Sequence, residues 1–189
     1  RYPDSPVYRL HWGAKEKRDL GALLGREVGG KAAIGGLVRT ASTATRLALK
    51  RVGLIGGALT IAELAKNPWW VARTRADMTG AVLADLITRT NTTDYVLVGH
   101  SLGARVMFAA AETLGSKNSE PQLESVHLLG AAVSAVHNLT NVGNAVSGTV
   151  WNYWSSNDGT LGTLYRGAQL GQRAAGAVGF TTTHPNVKN

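Results

Sequence analysis

The sequence contains no cysteine among its 189 residues, and only 6% of the residues are aromatic. The absence of cysteine excludes a disulfide framework, a thiolate metal site and a cysteine nucleophile. It leaves the cellular compartment open, because proteins without cysteine occur in every compartment. Hydrophobic residues still make up 44% of the chain, which is enough for a buried core and excludes wholesale disorder.

Long hydrophobic runs are also missing. The longest uncharged run in the glycine-rich part of the chain covers residues 52–62, far short of the roughly 20 residues that span a bilayer. Residues 31–66 place small and apolar side chains at helical spacing and are interrupted by two glycine pairs. They predict a helical insertion, which either lies over a cleft or on an interface, or forms two ordinary helices packed closely through glycine.

Acidic residues are scarce in the first part of the chain. Residues 1–75 hold 14 basic and 5 acidic residues, a net charge of +9, whereas residues 76–189 carry −1. This asymmetry predicts an anionic partner, and we expect an anionic membrane surface to bind through residues 31–66. The alternative is a solvated helical face. Nucleic acid is not expected as a partner, because the basic residues are not interleaved with stacking aromatic residues.

Strands alternate with helices along the chain, a pattern typical of a parallel α/β sheet. The predicted strands cover residues 7–12, 95–98, 126–129 and 149–154. Helices are predicted over residues 14–24, 68–89 and 161–174, and a further helix ends near residue 114. Residues 181–189 carry no prediction. The strand at 95–98 is wholly apolar, as expected for a strand buried in a parallel sheet.

The segment Gly99-His100-Ser101-Leu102-Gly103 joins a predicted buried strand to a predicted helix and matches the pattern G-x-S-x-G. In this setting a sharp turn exposes Ser101 as a nucleophile, which needs a base to remove its proton. We expect Gly99 and Gly103 to leave room for the turn, and the N–H of Leu102 to form half of an oxyanion hole. The alternative is a glycine-rich turn without chemistry.

The chain order serine, acid, histidine, which belongs to this kind of turn, selects the remaining catalytic residues. Asp158 lies just past the predicted strand at residues 149–154 and is the expected acid; the alternative is an aspartate that caps a turn or helix. His184 is the one histidine after Asp158 and is the predicted base on sequence order alone. His100 lies inside the turn and is expected to line the cleft. This chemistry requires no metal and no cofactor.

Four segments of the chain resemble the transmembrane-and-coiled-coil-domain family of α/β-hydrolases. They are residues 67–89, 95–108, 126–134 and 147–166. The resemblance implies an α/β-hydrolase fold, a mainly parallel sheet with flanking helices and a lid-like helical insertion at 31–66. It also implies a serine hydrolase that acts on lipid or other esters, with Ser101 and Asp158 at the positions of the nucleophile and the acid. Bacterial relatives of this kind occur as domains of secreted toxins.

The chain departs from the family pattern near both of its ends. The family's strand with a Gly-Trp oxyanion turn lies upstream of the segment that matches residues 8–12. The family's histidine sits in a Gly-His pair after a segment like residues 186–189. We therefore expect one domain over residues 1–189, incomplete at both ends, with the base at His184 or beyond Asn189, and a secreted or membrane-associated location. The alternative function is a catalytically inactive module that binds an anionic membrane or a protein partner.

Overall fold

The computed structural model of the protein describes residues 5–13, 68–90, 92–117, 120–159, 161, 165 and 172–189. The predicted helix at residues 14–24 and the predicted insertion at residues 31–66 lie outside the described residues. Within the described ranges the elements follow one another in the order α1 (Pro68–Thr88), β1 (Tyr95–His100), α2 (Leu102–Gly115), β2 (Leu123–Leu129), α3 (Thr140–Asn144), β3 (Val150–Tyr153), α4 (Ala175–Val178) and β4 (Val187–Lys188).

The four strands form one parallel sheet in the order β1-β2-β3-β4. This arrangement confirms the predicted α/β class with a parallel sheet and flanking helices. Because all four strands run the same way, their carboxyl ends meet at one edge of the sheet, where ligands bind in open α/β folds. Ser101 directly follows β1 at this carboxyl edge, and Asp158 follows β3 five residues after that strand ends.

The two faces of the sheet differ in what covers them. On one face Leu97, Val126 and Val150 are aligned across three strands and are buried in the main hydrophobic core with α2. On the other face Val98 and Trp151 lie on either side of His127, and they are 58% and 42% exposed. The described core therefore lies between the sheet and the α1–α2 layer.

Small residues allow α1 to pack closely on α2. A Cβ atom on Gly80 of α1 would lie 2.6 Å from the Cβ of Ala109 and 2.7 Å from the backbone oxygen of Val106. Ala76 and Ala84, on either side of Gly80 in α1, are fully buried. Where these two helices meet, small residues and close backbone contacts therefore form the packing, and large aromatic side chains do not. No helix among the described residues is long and apolar enough to cross a bilayer.

Several boundaries differ from the sequence predictions. Residues 7–12 form no strand, and Val7 is 85% exposed, because no other described strand pairs with this segment. The prediction of helix was wrong for residues 172–174, since Ala174 forms an antiparallel bridge with Ser134, and most of the predicted helix at 161–174 lies outside the described residues. β2 begins three residues before its predicted start, and the short elements α3, α4 and β4 were not predicted.

Candidate functional site

Ser101 occupies an unusual backbone conformation at the junction between β1 and α2. Its φ is +56° and its ψ is −118°, a region that residues with a side chain rarely adopt. Such a conformation costs on the order of 1–3 kcal/mol and persists only where its surroundings enforce it. The side chain makes no capping hydrogen bond to α2 and is partly exposed, so the hydroxyl group is not engaged in holding the helix end.

Backbone hydrogen bonds from the end of β2 hold Ser101 in this conformation. The N–H of Ser101 donates to the carbonyl of Leu129 at 2.8 Å, and its own carbonyl accepts from the N–H of Ala132 at 3.3 Å. The same carbonyl accepts the first helical bond of α2 from the N–H of Arg105 at 3.2 Å. Both backbone polar groups of Ser101 are therefore fixed by three partners, two at or after the end of β2 and one in the first turn of α2.

The two glycines of the motif have different roles. A Cβ atom on Gly99 would lie 2.6 Å from the carbonyl carbon of Gly103 and 2.7 Å from the nitrogen of Ala104. No atom lies within 4 Å of the position that a Cβ on Gly103 would take. The expectation that the turn needs both glycines was therefore wrong for Gly103, because α2 leaves that side of the turn open.

Asp158 lies at the same edge of the sheet as Ser101. Its Oδ1 accepts the N–H of Leu161 at 2.9 Å, so this oxygen has the capping role that was considered as the alternative. Its Oδ2 points the other way and lies 3.5 Å from the position of a Cβ on Gly130. Gly130 directly follows Leu129, the residue that binds the N–H of Ser101. One carboxylate oxygen thus caps the chain, and the other lies near Gly130, after the end of β2.

The structure does not bring His184 to Ser101. The imidazole of His184 packs on Gly143 of α3, and its Nδ1 accepts the N–H of Asn186 at 3.2 Å. It precedes β4, so it lies at the amino edge of the sheet, whereas Ser101 lies at the carboxyl edge. α2 runs from the carboxyl edge toward the amino edge, and its 14 residues give it a length of about 20 Å. Sequence order alone carried no information about which edge the histidine occupies.

Three other histidines have positions that the contacts define. His100 Nε2 lies 3.9 Å from the Cβ position of Gly130, the same position that Asp158 approaches. His127 stacks on Tyr153 on the open face of the sheet, with its Nδ1 3.0 Å from the phenol oxygen. His137 binds Glu112 at 2.8 Å, far along α2 from the turn. Of these three side chains, His100 is the one that shares Gly130 as a neighbour with Asp158.

A buried apolar cluster packs against Leu102. The Leu102 side chain packs against a buried cluster that includes Trp69, Leu161 and Tyr165. The rings of Trp69 and Tyr165 meet edge to face with centroids 5.9 Å apart. Burial raises the pKa of the Tyr165 phenol, so the hydroxyl stays protonated at neutral pH. The residue that carries the expected oxyanion donor is therefore packed against a buried apolar cluster.

A charged pair that the sequence analysis missed lies behind the turn. Arg105, one helical turn after Ser101, is 9% exposed and binds both carboxylate oxygens of Asp77 on α1. Burial, together with the positive charge of Arg105, lowers the pKa of Arg73. No local sequence signal marks the pairing of Arg105 with Asp77, because the two residues are 28 positions apart.

Comparison with known proteins assigns the family. The family model described as "Protein of unknown function (DUF726)" matches residues 3–189. The chain belongs to this family. No solved structure shows a significant match to the chain.

Named relatives of the family cover part of the chain. A rice (Oryza sativa subsp. japonica) protein named "Transmembrane and coiled-coil domain-containing protein STS1" is 33% identical over 135 residues, which are 69% of this chain and 20% of that protein. A Saccharomyces cerevisiae protein named "Probable lipase MIL1" is 33% identical over 126 residues, 65% of this chain and 12% of its own. A Schizosaccharomyces pombe protein named as an uncharacterized membrane protein is 35% identical over 129 residues, which are 67% of this chain and 17% of that protein. The chain thus spans about a fifth or less of these relatives.

Substitution of Gly99 and of Gly103 by alanine is expected to change the free energy of unfolding differently. Gly99→Ala is expected to lower the free energy of unfolding by about 1–3 kcal/mol, because its Cβ meets fixed backbone atoms of the turn. Gly103→Ala is expected to preserve stability or raise it by up to about 1 kcal/mol, because alanine favours the helix and meets no atom. Urea unfolding of both variants measures the difference. Equal destabilisation by the two substitutions would contradict the geometry of the turn.

Proposed function

We propose that this protein is a serine hydrolase with an α/β-hydrolase fold that cleaves esters, with Ser101 as its nucleophile. The observation that carries the proposal is the backbone of Ser101, held at positive φ between a strand of the parallel sheet and the start of a helix. A turn of this kind presents a serine hydroxyl above the sheet edge in that fold. The name of the yeast relative, a probable lipase, supports the same class of reaction.

The arrangement of the other strands supports the assignment of Asp158 as the acid. β3 is two strands away from β1 in the sheet, and the turn after it carries Asp158 to the edge where Ser101 lies. Oδ2 of Asp158 lies near Gly130 and is the oxygen that does not accept the N–H of Leu161. In this proposal that oxygen accepts the N–H of the catalytic imidazole and keeps the ring in its working orientation.

The base of the proposed triad is an imidazole at the carboxyl edge, which excludes His184 in the described geometry. His100 is the last residue of β1, and its Nε2 lies 3.9 Å from the Cβ position of Gly130. We therefore assign His100 to the lining of the site. The chain that leaves β4 at Asn189 runs toward the edge that carries Asp158, and Asn152 and Phe180 fix Asn189 there. A histidine supplied beyond this position fits the order of the triad.

The reaction divides into two steps. The base takes the proton of Ser101 Oγ, the oxygen attacks the ester carbonyl, and the N–H of Leu102 binds the oxyanion that forms. The tetrahedral intermediate expels the alcohol, which receives the proton from the imidazolium and leaves an acyl-enzyme. Water then attacks the acyl group in the same way, and the carboxylic acid leaves while Ser101 recovers its proton. Lipid esters are the substrate class we expect, in agreement with the name of the yeast relative.

Hydrolysis of a soluble ester such as p-nitrophenyl butyrate tests the proposal. Ser101→Ala is expected to abolish hydrolysis, and Asp158→Asn to lower kcat by about 10³–10⁴-fold, because the imidazole loses its orienting carboxylate. Asp94→Asn is the matched control, since Asp94 precedes β1 at the opposite edge. Hydrolysis that persists in Ser101→Ala at the wild-type rate would refute the assignment.

The placement of His184 generates a separate prediction. His184→Gln keeps a polar side chain beside Gly143 and is expected to leave kcat within about threefold of the wild-type value, because the residue lies at the amino edge of the sheet. Circular dichroism establishes whether the variant is folded under the assay conditions. A loss of hydrolysis by about 10³-fold in a folded variant would return His184 to the triad.

We also propose that the protein binds anionic membranes through its basic amino-terminal part. The net charge of +9 in residues 1–75 and the naming of relatives as membrane proteins support this second role. Each basic residue near an anionic lipid surface contributes about 1 kcal/mol, and salt screens this attraction. The expectation of a toxin domain stays a prediction.

Vesicle flotation distinguishes electrostatic binding from other association. The protein is expected to float with vesicles that contain 30% phosphatidylserine (about the charge of a cytoplasmic leaflet) and to stay unbound with pure phosphatidylcholine. Raising the salt concentration to about 0.5 M should release it, because the screening length falls to a few ångströms. Equal binding to both kinds of vesicle would exclude a role for the basic segment.

A further inference from the structure

Arg105 is a buried cation that the proposed reaction does not use. Its side chain is 10% exposed, and its guanidinium group contacts three acceptors on two elements. Nη2 donates to Asp77 Oδ2 at 2.9 Å, Nε lies 2.7 Å from Asp77 Oδ1, and Nη1 donates to the carbonyl of Ala132 at 3.0 Å. The first two contacts pair Arg105 with Asp77 of α1, where Nη2 makes the hydrogen bond, and the third holds the loop that follows β2.

Burial makes this pair different from an ordinary surface ion pair. Arg89 and Asp85, also on and just after α1, form an ion pair at 2.8 Å with side chains that are 74% and 56% exposed. A pair of that kind contributes little to stability. The side chain of Asp77 is 44% exposed, but that of Arg105 is buried, so loss of the Asp77 charge leaves a buried cation without its counter-ion, which is unfavourable. Arg105 therefore depends on Asp77 in a way that Arg89 does not depend on Asp85.

The loop that Arg105 holds is the loop that fixes Ser101. Both backbone groups of Ala132 are engaged, since its carbonyl accepts from Arg105 and its N–H donates to the carbonyl of Ser101 at 3.3 Å. The neighbouring carbonyl of Ala131 accepts the N–H of Gly176 at 3.0 Å on the other side of the loop. A planar guanidinium with several donors can hold Asp77 and Ala132 at once, whereas an ammonium group has no such fork.

We propose that Arg105 is a positioning residue, which with Asp77 as its partner holds Ala132 against the backbone of Ser101 and keeps the nucleophile in its strained conformation. This inference rests on the proposed function of Ser101. Arg105 itself does not touch the reacting atoms. It acts on the reaction through Ala132, and small displacements of a reacting group lower the rate of the chemical step more than they lower binding.

Two substitutions separate the contacts of Arg105, and a third serves as the control. Arg105→Lys keeps the charge beside Asp77 but loses the fork that reaches Ala132. Asp77→Asn keeps the shape of the partner but removes its charge. Asp85→Asn is the matched control, because it removes the same charge from the same helix in an exposed pair. All three variants are compared with the wild-type protein by ester hydrolysis and by amide hydrogen exchange.

We expect Arg105→Lys and Asp77→Asn to lower kcat by about tenfold to a hundredfold with KM changed less than about twofold. Exchange at the Ala132 amide should rise by about tenfold, while the Val126 amide, which is bound to Thr149 inside the sheet, keeps its protection. Asp85→Asn should match the wild-type protein in both measurements. A general loss of stability would instead raise exchange at Val126 as well, and that result would overturn the proposal.

The two readouts keep this inference distinct from the proposed function. If the wild-type protein hydrolyses no ester while a control lipase does, the proposed function fails, and faster Ala132 exchange in Arg105→Lys still supports the positioning of the turn. If exchange rises but kcat does not change, Arg105 holds the loop without affecting the reaction, and the proposal is overturned. If both variants match Asp85→Asn in both readouts, the inference is wrong in full.

Discussion

The backbone strain at Ser101 is the constraint on which the described structure depends. A residue with φ of +56° returns to ordinary conformations unless its neighbours prevent it. Here the carbonyl of Leu129 and the N–H of Ala132 hold both of its polar backbone groups, and Gly99 leaves the space that the turn needs. The turn is therefore a product of three chain segments, the ends of β1 and β2 and the start of α2. Parallel pairing of β1 with β2 is what brings those segments together.

The same pairing determines which polar residues meet. Successive parallel strands deliver Ser101 and Asp158 to one edge, and the position of β4 beside β3 places His184 at the other edge. The α1–α2 layer adds Arg105 and Asp77 behind the turn, where close packing through Gly80 keeps the two helices near each other. A fold with few aromatic residues can reach this density because its helices approach through glycine and alanine.

The sequence was informative where structure depends on neighbouring residues. The apolar run of β1 and the motif around Ser101 identified the strand and the turn because each signal lies within one segment. β4 has two residues, Val187 and Lys188, and is defined by its hydrogen bonds with β3, so no local sequence pattern predicts it. The edge occupied by His184 follows from that pairing and was hidden for the same reason. Residue order located Asp158 at the right edge because β3 itself was predictable.

Covalent labelling of Ser101 tests the proposed hydrolase most directly. The protein is treated with a fluorophosphonate ester, which reacts with activated serine nucleophiles, and the modified peptide is mapped by mass spectrometry. We expect one adduct per chain, located on Ser101. This adduct should not form when the protein is unfolded in urea before treatment. An unmodified Ser101 in folded protein, under conditions in which a control lipase reacts to completion, would contradict it.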